Sequence, residues 1–204
     1  MGLNYIFEIM LFDLSEILCK HNISNVIHLG AHKCEELPIY EKNNIKKIIW
    51  VDANPNIKVD NQKIYNFAAS NTNKGYAILN IANNSQSSSI YNLNTHKIHY
   101  PETFFLKKIK IENKRTDTFI LELGLGEKFD MVNIHLQGSE LIALQGMTGI
   151  IKDFKCIITK VHRNFVYEQN PFLQEITEFL EKYGFKLENV KWTDKDWGEA
   201  IYTQ

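Results

Sequence analysis

The sequence predicts an α/β fold in which a doubly wound, mostly parallel sheet carries helices on both faces. Apolar runs of strand length, such as residues 25–29 and 46–52, alternate with stretches of helical periodicity. Strands that alternate with helices usually pair in parallel and are joined by right-handed crossovers. Two runs near the end of the chain, residues 186–192 and 199–203, predict a closing antiparallel hairpin.

The first elements predict a β–α–β unit that follows a helix. Residues 4–21 place apolar side chains at helical spacing, which indicates an amphipathic helix that covers one face of the sheet. The run 25–29 predicts the first strand, residues 30–43 open into a helix, and the run 46–52 predicts the second strand. The two strands are therefore expected to be parallel.

The middle of the chain predicts two more strands, a long loop and an edge strand. Residues 63–70 and 75–81 have the composition of strands. Residues 82–106 are polar, rich in Asn and Ser, and without clear periodicity, so we expect a loop long enough to have a functional role. Residues 107–112 then predict an edge strand.

The last third of the chain predicts two buried strands and three helices. The strands are residues 129–136 and 155–161. The helices are expected at residues 115–125, capped by Thr116 or Asp117, at residues 139–147, and from Pro171 to a stop at Gly184.

Length and composition fit a single domain over residues 1–204, with an N-terminal helix at 1–22 and the core at 24–204. The apolar share of 44% and charged share of 23% are typical of globular proteins. A net charge of −1 without a basic run argues against a nucleic acid partner. Three widely spaced cysteines favour a reducing compartment, the cytoplasm. We find no signal peptide, membrane span or lipid anchor, and the oligomeric state is not readable.

The turn after the first strand predicts a ligand site. In doubly wound sheets, ligands bind beyond the carboxyl ends of the strands, near the point where strand order reverses. Gly30, Ala31 and His32 form a small-residue turn into a helix, and Asp52 follows about twenty residues later at the end of the next strand. A carboxylate there can accept both hydrogen bonds of a ribose diol. The alternative is a tight turn with a capping Asp.

Several segments in the same order resemble the FkbM family of S-adenosylmethionine-dependent O-methyltransferases. The resemblance implies a class I methyltransferase fold of the Rossmann-like type, S-adenosylmethionine as methyl donor, and often a sugar or glycan hydroxyl as acceptor. The segments are residues 26–55, NFAAS at 66–70, SSSI at 87–90, residues 129–147 and the terminal GF and WGEAIY.

Carried over by position, the resemblance assigns the donor site to two loops and a strand end. Gly30, Ala31 and His32 would form the loop beside the methionine part of the donor, and Asp52 would hold the ribose. The cofactor-binding set predicted on this basis also includes residues beside the adenine and one in the first strand, namely Ala69, Ser70 and His28.

The chain departs from the family pattern at four positions. His28 stands where the family usually has Asp in the first strand, and Cys34 stands where it has Gly. His135 replaces an Asp before Gln137-Gly138-Ser139-Glu140, and Lys160 replaces an acidic residue at the end of the next strand. A site that has exchanged carboxylates for His and Lys is expected to attract a sulfonium and an ammonium less strongly.

The first functional hypothesis is an active O-methyltransferase. His135 would be the general base toward a sugar hydroxyl, because histidine is matched to proton transfer near neutral pH. Lys160 and Glu140 are the other residues predicted to be catalytic. The predicted acceptor-binding residues are Ser88, Gln137, His162, Arg163 and Tyr167.

Two other hypotheses remain. The second is a degenerate relative that keeps the scaffold and binds a sugar or a protein without methyl transfer, which the exchange of three carboxylates favours. The third is a metal site built from His28, His32, His135 and His162. It is the weakest, because no carboxylate stands at position 28 or 135, and no metal is predicted.

Overall fold

A computed structural model describes residues 10–204 of the chain. Helices and strands alternate over much of this range. The strands are β1 Asn25–Leu29, β2 Lys47–Val51, β3 Ile64–Tyr65, β4 Ala68–Ala69, β5 Tyr76–Ala82, β6 Phe105–Lys114, β7 Met131–Ile134, β8 Cys156–His162, β9 Lys186–Trp192 and β10 Trp197–Thr203. The helices are α1 Leu14–Lys20, α2 Leu37–Lys42, α3 His96–His99, α4 Thr116–Glu122, α5 Glu140–Gln145 and α6 Leu173–Glu181.

The main sheet has seven strands in the order β3-β2-β1-β7-β8-β10-β9. Its strands are parallel except β10, which runs antiparallel to both β8 and β9. Strand order reverses between β1 and β7, because the chain adds β2 and β3 on one side of β1 and the later strands on the other. The predicted α/β fold, with its doubly wound sheet and antiparallel C-terminal hairpin, is confirmed.

The two faces of the main sheet bury separate apolar clusters. Successive strand residues point to opposite faces, so Val26 and Ile27 are both fully buried but belong to different clusters. Ile27 packs with side chains of α4, α5 and α6, such as Phe119 and Leu180. Val26 packs with side chains of α1 and α2, such as Leu18. Helices therefore cover both faces, as predicted.

The predicted N-terminal helix is shorter than expected within the described residues. Residues 1–9 of the prediction lie outside the described range, and residues 10–13 are not helical. The helix begins at Leu14 because the carboxylate of Asp13 accepts hydrogen bonds from the backbone N–H groups of Ser15 and Glu16, at 2.9 and 3.2 Å. This N-cap ends the non-helical segment and starts the first turn.

The middle of the chain differs most from its prediction. Residues 63–70 do not form one strand but two: β3 joins the main sheet, and β4 joins a second sheet of order β4-β6-β5. The predicted edge strand at 107–112 is wrong, because β6 spans Phe105–Lys114 and is the central strand of that sheet. The loop predicted at 82–106 contains the short helix α3.

Two helix starts were also misplaced. The helix expected from residue 30 begins only at Leu37, after an irregular segment in which His32 and Cys34 have positive φ angles of 40° and 56°. In α4, Arg115 occupies the N-cap position without a capping side-chain hydrogen bond, so neither Thr116 nor Asp117 stands there. The carboxylate of Asp117 accepts the N–H of Thr118 at 2.7 Å from within the first turn. Among residues 10–204, no helix has the length and apolar character needed to cross a lipid bilayer.

Candidate active site

A cavity of about 690 Å³ opens where strand order reverses. The ends of β1, β2 and β7 form its floor, and the residues after β4 line one wall. Ala77 and Leu79 of β5 and most of the segment 85–91 line another part, and Met10, Phe12, Asp13 and Leu14 also contribute. This is the position at which doubly wound folds bind ligands.

The turn after β1 is held tightly against its neighbours. The N–H groups of Gly30 and Ala31 both donate to the carbonyl of Val51, at 2.8 and 3.0 Å. Gly30 has a φ of +86°, and a Cβ at this position would lie 2.0 Å from the carbonyl oxygen of His135. Only glycine fits here, because a side chain would collide with the backbone that follows β7. Ala31 is buried beneath the turn.

Asp52 ties this turn to the end of β2. One carboxylate oxygen accepts the N–H of His32 at 2.8 Å, and the other accepts the N–H of Asn54 at 2.7 Å. A carboxylate has about four lone-pair sites, so each oxygen retains acceptor capacity toward the cavity that it lines. Burial raises the pKa of Asp52, and the two backbone hydrogen bonds oppose that shift.

The ring of His32 links the turn to the segment opposite. Its Nδ1 lies 2.6 Å from a carboxylate oxygen of Glu35, and its Nε2 lies 2.7 Å from the hydroxyl oxygen of Ser85. Burial acts to raise the pKa of Glu35, but the hydrogen bond with His32 and backbone hydrogen bonds outweigh it and lower that pKa. His32 therefore joins two walls of the cavity, with a carboxylate beside it.

The cavity lining is acidic. Asp13, Glu35, Glu36 and Asp52 line it, and no Lys or Arg of the described residues does. Burial raises the pKa of Glu36 to about 7. These acids stand at positions other than those at which the chain departs from the family pattern, so the weaker attraction expected from those departures stays a prediction. Sequence reasoning missed three of these acids, although the Glu-Glu pair directly after the turn was an available signal.

His28 and Cys34 lie behind the turn rather than on the cavity surface. The Nδ1 of His28 lies 3.1 Å from the hydroxyl oxygen of Tyr40, and its Nε2 lies 3.8 Å from a carboxylate oxygen of Glu36. Burial lowers the pKa of His28 to about 4, so the ring is neutral. Burial raises the pKa of the Cys34 thiol to about 12, which keeps it unreactive.

His135 borders the cavity at the end of β7. Its backbone N–H donates to the carbonyl of Leu29 at 2.9 Å, which fixes this end of β7 beside β1. Burial lowers the pKa of its imidazole well below the usual range, and the nearby His28 and Lys160 lower it further. The ring is therefore neutral at physiological pH and has a lone pair that can accept a proton.

The other residues predicted near β7 and β8 are engaged with one another. Glu140 is fully buried, and its carboxylate accepts the N–H groups of Leu136 and Gly138, at 3.0 to 3.2 Å. The side-chain oxygen of Gln137 accepts the ammonium of Lys160 at 3.2 Å and the hydroxyl of Tyr167 at 2.9 Å. Of the four predicted residues Gln137, Glu140, Lys160 and Tyr167, only Gln137 lines the cavity.

The remaining predicted residues divide between the cavity and other places. Ala69, Ser70 and Ser88 line the cavity. Arg163 is exposed, pairs with Asp196 at 3.1 Å, and lies outside it. His162 is fully buried, and burial lowers its pKa to about 3. Within residues 10–204, no group of three or more His, Cys, Asp and Glu side chains can hold a metal ion, so the four-histidine hypothesis is wrong.

Comparison with known proteins gives one family and several structural neighbours. Residues 28–187 match the family model described as the Methyltransferase FkbM domain. A methyltransferase FkbM from Methylobacillus flagellatus KT is 12% identical, with 90% of this chain and 44% of that chain covered and a TM-score of 0.53. This likeness shows a shared fold, and our chain spans less than half the length of that protein.

Two other solved structures are more distant. The methyltransferase domain of bacterial CtHen1 is 12% identical, covers 92% of this chain and 94% of its own, and has a TM-score of 0.47. TrmK of M. capricolum, solved with S-adenosyl-homocysteine, is 13% identical and has a TM-score of 0.42, with 96% of this chain and 69% of that chain covered. No curated protein matches the chain.

Proposed function

The chain belongs to the FkbM methyltransferase domain family, and we propose from this that it binds S-adenosylmethionine in the cavity and methylates a hydroxyl group of a sugar or glycan. The observation that carries the proposal is the acidic cavity at the point where strand order reverses. A ligand with a sulfonium and an ammonium group is attracted to a lining that has four carboxyl groups and no Lys or Arg.

The lining residues fit the parts of such a donor. The carboxylates of Glu35 and Glu36 suit the cationic groups of the methionine part. Asp52 has acceptor capacity left for a ribose diol after its two backbone hydrogen bonds. Ala69 has a small side chain that leaves space for the flat adenine at the end of β4.

The chemistry divides between the donor and the side chains of the chain. When bound, S-adenosylmethionine supplies an electrophilic methyl group, so positioning provides much of the rate and a strong base is not required. His135 borders the cavity and is neutral, so its lone pair can accept the proton of a hydroxyl group; its lowered pKa makes it a weak base, which is sufficient where positioning supplies the rate. The segment 85–91 brings the polar residues Ser85, Gln86, Ser88 and Ser89 to the lining, which suits a polyhydroxylated acceptor.

Calorimetric titration with S-adenosylmethionine and S-adenosylhomocysteine tests the donor site. We expect saturable binding of one equivalent of either ligand. No heat of binding at millimolar ligand would contradict the proposal. A panel of free sugars and glycans, each incubated with the protein and the methyl donor, then tests the acceptor class through release of S-adenosylhomocysteine.

A second function is a binding scaffold without methyl transfer. The observation that favours it is that the polar side chains near the ends of β7 and β8 bond to one another, with Lys160 and Tyr167 both on Gln137. If calorimetric titration showed binding of a sugar but no binding of S-adenosylmethionine, the scaffold would be favoured over the enzyme.

A further inference from the structure

We infer that Glu199, on β10, is a positioning residue that orients the ring of His135 so that Nδ1 serves the cavity. This inference rests on the proposed function, in which His135 accepts a proton. Glu199 is 1% exposed, and its Oε1 lies 3.3 Å from Nε2 of His135. This contact is within ion-pair distance but is not an aligned hydrogen bond, and the buried Nε2 has no hydrogen-bond partner among residues 10–204. Catalytic hydrogen bonds are often poorly aligned until a ligand binds.

The second oxygen of Glu199 holds the segment that precedes α1. Its Oε2 accepts the backbone N–H of Leu11 at 2.7 Å. The neighbours of Leu11 in the chain, Met10 and Phe12, both line the cavity. One buried carboxylate therefore contacts the proposed base through one oxygen and, through the other, the segment whose residues Met10 and Phe12 line the cavity. The hydrogen bond to Leu11 fixes which oxygen faces His135.

Glu199 also accounts for one of the departures from the family pattern. In the register of β8 and β10 it stands directly opposite Lys160. The resemblance led us to expect an acidic residue at position 160, and here the acid stands on the adjacent strand instead. The ionisable groups that face His135 are His28 from β1, Lys160 from β8 and Glu199 from β10. Glu199 is the acidic member of this group.

The pairing has a chemical consequence for the imidazole. A carboxylate accepts hydrogen bonds, so it favours the neutral tautomer with the proton on Nε2. The lone pair is then on Nδ1, where it can take a proton from a hydroxyl group in the cavity. The imidazolium that forms is stabilised by the adjacent carboxylate. A carboxylate that orients a histidine base acts in the same way in other enzymes.

The test is the tautomer of His135, measured by NMR on the full chain with ¹⁵N-labelled histidine at a pH where the ring is neutral. The chain has seven histidines, and comparison with a His135→Asn variant assigns the signal. We expect the Nε2–H form in the wild-type protein. The Nδ1–H form as the major species would overturn the inference, whatever the variants below do.

Glu199→Gln gives the complementary result. The N–H of Leu11 requires an oxygen, so the amide NH₂ of the new side chain turns to His135 and donates a hydrogen bond to Nε2. The tautomer is then expected to reverse to Nδ1–H. Glu188→Gln is the matched control, because Glu188 lies on the adjacent strand β9 and pairs with Lys20. An unchanged His135 signal in a folded Glu199→Gln variant would contradict the inference.

Donor titration separates this inference from the proposed function. Glu199→Gln is expected to bind S-adenosylmethionine as the wild-type protein does, since Glu199 is absent from the cavity lining. If the wild-type protein shows the Nε2–H tautomer but binds no donor, the pairing stands and the proposed function fails. If the donor binds and the tautomer is Nδ1–H, the pairing fails alone.

Discussion

The turn after β1 and the residues after β7 both border the cavity, but they use their polar groups differently. After β1, the carboxyl groups of Glu35, Glu36 and Asp52 line the cavity, and Asp52 also accepts the backbone N–H of His32. After β7, Glu140 accepts backbone N–H groups of its own loop, and Gln137 joins Lys160 and Tyr167. The first region presents carboxyl groups to the cavity, whereas the polar side chains of the second bond mainly to one another and to backbone N–H groups.

The difference shows how well the position of a residue at a strand end predicts whether its side chain lines the cavity. At the turn after β1, the chain at Gly30 forms part of the cavity surface. A small-residue turn in the sequence is therefore enough to identify the residues that shape this part of the cavity. After β7 and β8, the side chains can face the cavity or the protein interior. His135 borders the cavity, whereas Lys160 and Tyr167 do not. The four predictions below test this contrast, from the largest expected effect to the smallest.

The largest effect is expected from Gly30→Ala. A Cβ would lie 2.0 Å from the carbonyl oxygen of His135, and the φ angle is also unfavourable for alanine. We expect the free energy of unfolding to fall by on the order of 4 kcal/mol, measured by urea denaturation. Gly75→Ala is the control, because Gly75 has a φ of +73° and no atom within 4 Å. Gly75→Ala should lower the free energy of unfolding by only about 1–2 kcal/mol. Equal losses would contradict the close approach of the two regions.

Asp52→Ala tests the turn as a donor site. It removes the proposed acceptor of two ribose hydrogen bonds, each worth about 1.5–3 kcal/mol to a charged group. The affinity for S-adenosylmethionine, measured by calorimetry, is therefore expected to fall at least about 100-fold. Asp60→Ala, an exposed change outside the cavity, should leave it unchanged. An affinity retained within a few fold in Asp52→Ala would show that the ribose lies elsewhere.

The pH dependence of donor binding tests the acidic lining. Burial raises the pKa of Glu36 to about 7, above its ordinary value of 4.5. Its carboxyl group therefore loses a proton as the pH rises from 6 to 8, the cavity becomes more negative, and the affinity for the cationic donor should rise about three- to tenfold. Glu36→Gln should remove this rise, whereas Glu41→Gln, outside the cavity on α2, should keep it. The same rise in Glu36→Gln would assign the effect to another group.

The smallest effect concerns the region after β7. Tyr167→Phe removes the buried hydrogen bond to Gln137, and we expect the free energy of unfolding to fall by about 1 kcal/mol. Donor affinity should not change, because Tyr167 does not line the cavity. Tyr76→Phe is the control, since Tyr76 is 60% exposed and lies outside the cavity. A marked loss of donor affinity in Tyr167→Phe would weaken the contrast between the two regions.

The main sheet was predictable from the sequence, and the second sheet was not. Buried parallel strands such as β1 and β8 appear as short apolar runs, and their parallel pairing is predicted by the alternation with helices. The second sheet joins β4, β5 and β6 through pairings such as Ala68 with Asn113, which are distant in the chain. A local pattern does not contain such pairings, so β6 was taken for an edge strand.

The sequence identified some of the residues at the candidate site and missed others. Gly30 and Asp52 were found because a small-residue turn and a strand-end acid have fixed spacing. Glu36 was missed because the helix was expected to begin at residue 30, whereas positive φ angles at His32 and Cys34 create an irregular segment instead. Glu199 was missed because its place beside His135 depends on the position of β10 in the sheet.

The most direct test of the central claim is to locate the donor site by NMR. S-adenosylhomocysteine, which does not react, would be titrated into the ¹⁵N-labelled chain, and the backbone amide shifts would be followed. The account predicts the largest changes at Gly30, His32, Ala53 and Ala69, around the turn after β1. Changes concentrated away from this cavity, for example around Leu93 and Phe105 in the hollow beside β6, would contradict it, as would the absence of any change at saturating ligand.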